Sequence, residues 1–174
     1  ILNSDDVDPI FVTNPTVLLK NGDYLMFYTG CFKYQEINGQ LRAFYFIKLA
    51  ISYDGFNFKK TNIDILPLNN DENLITRLSI VEDVDNGFYR GWYSFSKLNL
   101  PVRKSYRIGY AESRDLFNWV RKDNEVGIDV GPEKFDIEMM AYPQVFRYKD
   151  NYYMFYNGNS YGKEGLLLAE TKIF

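Results

Sequence analysis

Histidine is absent from the 174 residues and cysteine occurs once. Without an imidazole, the serine, cysteine and zinc chemistries that use one as base or ligand are excluded, because no other side chain titrates unperturbed near neutrality. The expected acid or base is then a carboxylate. Cys31 cannot form an internal disulfide and reads as a small buried hydrophobe, so a soluble chain in a reducing, cytoplasmic-type compartment is the expectation.

Long apolar runs are also missing. The longest, such as LLLA at 166 to 169, fall far short of the roughly 18 to 20 residues of a membrane span. No basic, apolar leader is visible, and the chain opens on Ile1. The 20 basic and 23 acidic residues are scattered, with a net charge of −3, and form no Lys/Arg block that could neutralise a run of phosphates. Neither a membrane nor nucleic acid is an expected partner.

What is abundant is aromatic: 15 Tyr, 14 Phe and 2 Trp. They recur in a repeat. Its opening element reads TNPTVL at 13 to 18, TRLSIV at 76 to 81 and AYPQVF at 141 to 146, which superposes Pro15, Leu78 and Pro143. The second reads YLMFYTG at 24 to 30, YRGWYSF at 89 to 95 and YYMFYNG at 152 to 158. The third is FIKLAISYDGFNF at 46 to 58, YRIGYAESRDLFNW at 106 to 119 and GLLLAET at 165 to 171, superposing Ala50, Ala111 and Ala169. The period is about sixty residues, with repeats over approximately 8–62, 71–123 and 136–174 of a single domain spanning 1–174.

Each element is short, aromatic and alternating, and turn residues bound it, Asn21-Gly22 and Asn86-Gly87 most strongly. No apolar stripe at helical spacing persists beyond about two turns. The class is therefore all-β, and a four-stranded unit recurring every sixty residues predicts a β-propeller, since one such sheet cannot bury both its faces alone. Three units do not close a ring. The expectation is about three consecutive blades of a larger propeller, with further blades or another chain completing it. Phe27, Trp92 and Phe155, like Tyr28, Tyr93 and Tyr156, are expected to pack blade on blade, and Phe58 and Trp119 to cover blade edges after the turns at Asp54 and Asp115. Protein-interaction repeats of the WD or kelch sort lack support, because their Gly-His, Trp-Asp and Gly-Gly signatures are absent and their period is shorter.

In a propeller the segment leading into each innermost strand opens on the axial channel. Seven positions before Pro15, Leu78 and Pro143 stand Asp8, Asp71 and Asp136, with Glu72 and Glu138 close behind. Carboxylates converging on one hollow would push their pKa values apart and supply an acid and a base, as glycoside hydrolysis requires. Their alternative role is to cap turns. Immediately before the anchors lie Asn14, Arg77 and Tyr142, three unlike polar groups at one equivalent place, suited to bonding hydroxyls, clamping an anion and stacking on a sugar, or else to bonding between blades.

The segments YRIGYAESRDLFNWVRKD at 106 to 123, FDIEMMAYPQVFRYKDNYYMFYNGNSYGKEGLLLAE at 135 to 170 and AISYDGFNF at 50 to 58 resemble the later blades of five-bladed propeller glycosidase-like proteins related to glycoside hydrolase families 43 and 32. The resemblance implies blades three, four and five of such a ring, and a funnel-shaped sugar site with a carbohydrate substrate or ligand. The leading reading uses no redox cofactor and assigns no metal ligand, and an ion on the axis stays open. It carries over Asp136, Glu138, Tyr142 and Arg77 as site residues, and places a third-blade acidic Glu ahead of Pro15, where this chain has Asp5, Asp6 and Asp8. Either a glycosidase or a non-catalytic sugar-binding propeller fits this pattern.

Overall fold

A computed structural model describes residues 2–132 and 134–172. The described residues fold into eleven strands: β1 (Phe11–Lys20), β2 (Asp23–Ile37), β3 (Gln40–Ser52), β4 (Lys59–Leu66), β5 (Glu72–Asp83), β6 (Phe88–Lys97), β7 (Tyr106–Ser113), β8 (Trp119–Arg121), β9 (Ala141–Tyr148), β10 (Asn151–Asn157) and β11 (Leu166–Lys172). Among the described residues no helix is long and apolar enough to cross a membrane.

Within each repeat, consecutive strands pair antiparallel. β1 to β4 make the first blade, β5 to β8 the second, and β9 to β11 the third. The first two blades meet through a single parallel pairing, Tyr45 opposite Leu74. The innermost strands lie side by side, β1 against β5 and β5 against β9. This is an open propeller of three blades. The last repeat's predicted end at Phe174 lies outside the described residues.

Strand alternation decides which side chain meets which neighbour. On β2, Leu25 and Phe27 point toward the second blade and pack with Ile47, Leu49, Leu78, Tyr93 and Ala111. On β6, Trp92 points onward and packs with Val145, Tyr152 and Met154 of the third blade. Tyr28, Tyr93 and Tyr156 are buried on the opposite faces. Phe155, the third member of the Phe27 and Trp92 set, differs. It is 41% exposed against 0% and 4%, because among the described residues no blade follows the third. Its face shows an aromatic stack of Phe146 with Tyr153 at 5.5 Å and with Phe155 at 6.0 Å. Cys31 is buried and free.

Asn21-Gly22 turns β1 into β2 with both residues at positive φ, 53° and 92°, as a tight hairpin demands. A third such pair, Asn38-Gly39, turns β2 into β3 and carries these strands well past the rest of the blade. The turns leaving β3 and β7 are built alike. Asp54 accepts from the N–H groups of Phe56 and Asn57, and Asp115 from those of Phe117 and Asn118. The hydroxyls of Ser52 and Ser113 complete each turn. Gly55 takes the left-handed position (φ 77°) in the first, and Leu116 takes it (φ 72°) in the second. Leu116 is held there by burial in the core between the first two blades.

The N–H and side-chain amide of Asn118 hold the Asp115 carboxyl down to about 2, and the same bonds from Asn57 hold Asp54 well below the ordinary carboxylate range. A depressed folded-state pKa stabilises the fold above the ordinary value near 3.8, and that contribution is lost as pH falls through it toward about 2. Urea midpoints should therefore drop between pH 4 and pH 2, and the drop should shrink in the double variant Asp54→Asn, Asp115→Asn. An unchanged acid slope would contradict this role.

Candidate functional site

Asn14, Arg77 and Tyr142 occupy one conformation. Each sits at positive φ, 49°, 58° and 58°, inside an innermost strand, where the ladder to the neighbouring strand slips by a residue. These are β-bulges with a left-handed residue, a geometry that costs an ordinary residue about 1–2 kcal/mol and suits only Gly and Asn well. Tertiary bonds anchor the residue next to Arg77 and the backbone of Tyr142 itself. The Asn14 amide donates to Thr76 Oγ1 at 2.8 Å, and Thr29 Oγ1 lies 2.9 Å from the same oxygen. At the equivalent place one blade on, the Tyr142 N–H donates to Ser94 Oγ at 2.7 Å. Two further hydroxyls repeat the pattern: Thr16 donates to the Leu78 carbonyl at 2.6 Å, and the Val145 N–H donates to Ser79 Oγ at 2.8 Å. A hydroxyl of each blade thus fastens the inner strand of the next.

The Arg77 guanidinium donates to Gln144 Oε1 at 2.8 Å near the surface, so it bridges the second and third blades. Tyr142 joins an aromatic cluster drawn from all three blades. Its ring lies 5.9 Å from Tyr106 and 6.2 Å from Tyr161, Tyr106 lies 5.4 Å from Tyr161, and Phe11 lies 5.4 Å from Tyr45. The hydroxyls of Tyr45 and Tyr106 are 2.9 Å apart. Burial raises both these phenols well above the ordinary range, so they stay neutral hydrogen-bonding groups. Ser160 and Tyr161 are both left-handed, in a turn at 159–162 that presents the partly exposed Tyr161 ring beside Tyr142. Tyr45 and Tyr106 stand 61 residues apart, the spacing of Ala50 and Ala111, so the repeat itself carried the signal for this pair.

The five carboxylates are dispersed. Asp8 is wholly buried: the Tyr28 hydroxyl donates to Oδ2 at 3.0 Å, Lys48 reaches Oδ1 at 2.5 Å and Lys60 reaches Oδ2 at 2.8 Å. Burial alone would raise this carboxyl, and the lysine and tyrosine bonds outweigh it and hold it low. A Cβ on Gly30 would lie 2.0 Å from Asp8 Oδ1, so only glycine leaves room for the carboxylate. Glu72, also buried, is clamped by two Arg121 nitrogens at 2.7 and 2.8 Å and accepts from the Asn69 N–H at 2.9 Å. Asp136 accepts from the Tyr156 hydroxyl at 2.7 Å, and its Oδ1 has no partner among the described residues. Asp71 is exposed, and its backbone carbonyl accepts from the Leu98 N–H. Glu138 is part-exposed, pairs with Lys104, and has its own N–H bonded to Asn159.

Asp8 and Asp136 share a role in bonding the middle-strand tyrosine of their blade. Asp71 does not: in the second blade Tyr93 bonds Asp123, which follows β8 and sits beside Arg121. Among the described residues no group of three or more potential ligands could hold a metal ion.

No protein-family profile matches the chain. Two curated proteins of Mycobacterium tuberculosis, from strains CDC 1551 / Oshkosh and ATCC 25618 / H37Rv and both described as uncharacterized, are each 31% identical over 166 residues. That stretch is 95% of this chain and 52% of theirs. The chain spans about half the length of the curated relatives it matches. Solved structures of similar shape include a glycoside hydrolase (TM-score 0.70, 17% identity, 99% of this chain and 49% of that one). They also include a thermostable family-43 glycoside hydrolase (0.61, 21%, 90% and 48%) and the GH32 β-fructofuranosidase of Bombyx mori (0.60, 18%, 91% and 33%). The shared fold is the β-propeller of glycoside hydrolases.

Breaking a buried ion pair from one side costs about 3–5 kcal/mol. Asp8→Asn and Glu72→Gln should therefore each lower the unfolding free energy by about 3 kcal/mol in urea titrations. Unchanged midpoints would return these residues to a purely chemical role.

Proposed function

We propose that this chain supplies the ligand-contacting mouth of a carbohydrate-active, glycosidase-like propeller. The observation that carries the reading is the common left-handed bulge, which sets Asn14, Arg77 and Tyr142 at one phase of three adjoining inner strands. Tyr142 and Tyr161 offer ring faces for a pyranose or furanose, and Asn14 and Arg77 offer donors for its hydroxyl or carboxylate oxygens. Buried Tyr106, hydrogen-bonded to part-buried Tyr45, packs against the rings of part-buried Tyr142 and exposed Tyr161.

Hydrolysis needs two carboxyl groups, about 5–5.5 Å apart for retention or about 6.5–9.5 Å for inversion. Of the five candidates, Glu138 is the best placed to act as the acid. It is part-exposed, it lies in the segment leading into β9, and Lys104 is its cationic neighbour. Exposed Asp71 is the next. Asp8 and Glu72 serve better as structural ions, given the partners they already bind. A partner carboxylate for Glu138 would then come from the part of the natural protein that these residues do not span. The second reading, a propeller that binds sugar without cleaving it, is favoured by that same commitment of acidic groups to ion pairs.

The test is a panel of oligosaccharides and aryl glycosides offered to the full-length natural protein. Tyr142→Asn keeps a residue that tolerates the left-handed backbone and removes the ring, and it should weaken binding about three- to tenfold, the size of a lost aromatic contact. Glu138→Gln should abolish turnover with binding retained if the protein hydrolyses its ligand. Affinity unaltered by Tyr142→Asn and by Arg77→Asn would remove the mouth from consideration.

A further inference from the structure

Among the described residues the third blade lacks the fourth strand of the other two and the cation that strand carries. In the first blade, Lys60 on β4 stands opposite Ala50 and reaches Asp8, which bonds Tyr28. In the second, Arg121 on β8 stands opposite Ala111 and reaches Asp123, which bonds Tyr93. The third blade repeats the tyrosine and the carboxylate, Tyr156 and Asp136, and repeats the alanine as Ala169 on β11. There the series stops. β11 is the edge of its sheet, and Asp136, only 7% exposed, leaves Oδ1 unpartnered among the described residues. A buried carboxylate with one neutral donor is costly unless a cation or further donors complete it. A sheet edge offers a row of unpaired backbone groups.

We propose that the outer edge of β11 and Asp136 together form a docking site for an antiparallel fourth strand carrying a lysine or arginine opposite Ala169, whose cation bonds Asp136 Oδ1. The strand is assigned to the natural polypeptide outside these 174 residues, since the curated relatives run to nearly twice the matched length. The edge supplies backbone affinity, and the buried carboxylate selects the register and the basic residue.

Two measurements test this, and neither uses a carbohydrate, so they stand or fall apart from the proposed sugar site. The first compares urea midpoints. In the 174-residue chain Asp136→Asn removes an uncompensated buried charge and should leave the midpoint unchanged or raise it, whereas Asp8→Asn should lower it. In the full-length natural protein, with the strand in place, Asp136→Asn should lower the midpoint too. A drop of equal size for Asp136→Asn and Asp8→Asn in the 174-residue chain would show that Asp136 already has its counter-charge, and would overturn the proposal. The second titrates the 174-residue chain with a labelled peptide of residues 57–66, which carries Lys60. Saturable binding should weaken at least tenfold with Lys60→Met in the peptide or with Asp136→Asn in the chain, and the two losses should not add. Equal binding of both peptides would overturn the role of the cation. A concentration-dependent dimer that the peptide dissociates would assign the edge to a second copy and overturn the assignment to the longer polypeptide.

Discussion

A hydroxyl hydrogen bond across each blade junction, beside or on the bulge of the next inner strand, is the contact on which the arrangement depends. Thr29 and Thr76 meet across the first junction, and Ser94 holds the Tyr142 N–H across the second. The first lies next to left-handed Arg77 and the second bonds left-handed Tyr142 itself, and each bulge bends the inner strand and increases its twist. Successive sheets then fan instead of stacking flat, and their large aromatic faces can interdigitate. Phe27 against Trp119 and Trp92 against Tyr152 fill the two wedges that result. The same bulge recurs at Asn14, Arg77 and Tyr142, so the feature that shapes the inner strands also carries the proposed site. Asn14 suits the left-handed backbone by its own preference, whereas arginine and tyrosine are poor left-handed residues, and neighbours must hold them.

The blades share a second device, a tyrosine on the middle strand bonded to a buried carboxylate. It appears as Tyr28 with Asp8, Tyr93 with Asp123 and Tyr156 with Asp136. The carboxylate comes from the segment before the blade in the first and third cases and from the segment after β8 in the second. Buried charge of this kind sets register and specificity more than it adds net stability. It also explains how a chain with 23 acidic residues can offer few that are free for chemistry.

Much of the architecture was legible because the repeat is a packing repeat. Opening elements that align at Pro15, Leu78 and Pro143 do so because each must bulge one residue earlier, and the three residues before them share φ values within ten degrees. Aromatic positions aligned for the same reason, except that Phe155 is exposed for want of a neighbour. The long β2–β3 hairpin was not foreseen, although Asn38-Gly39 carries the same turn chemistry as Asn21-Gly22. Its outer residues, Lys33 to Glu36 with Gln40 and Leu41, are exposed on both faces, so no buried side marks them as strand. The acidic residues were the least legible. Spacing placed Asp8, Asp71 and Asp136 in one series, yet a carboxylate finds its partner through three dimensions. Lys48, Lys60 and Arg121 lie 40 to 52 residues from the acids they bind, so nothing local in the sequence announces them.

The central claim is that three left-handed bulges, joined across the blade junctions by hydroxyl and amide hydrogen bonds, define the axis and its mouth. The most direct measurement compares glycine with alanine at these sites in urea unfolding. Left-handed backbone favours glycine by about 1–2 kcal/mol over a residue with a Cβ. Arg77→Gly and Tyr142→Gly should therefore be more stable than Arg77→Ala and Tyr142→Ala by about that amount. Alanine variants as stable as the glycine ones would mean that these residues are extended in solution, and the common axis would have no basis.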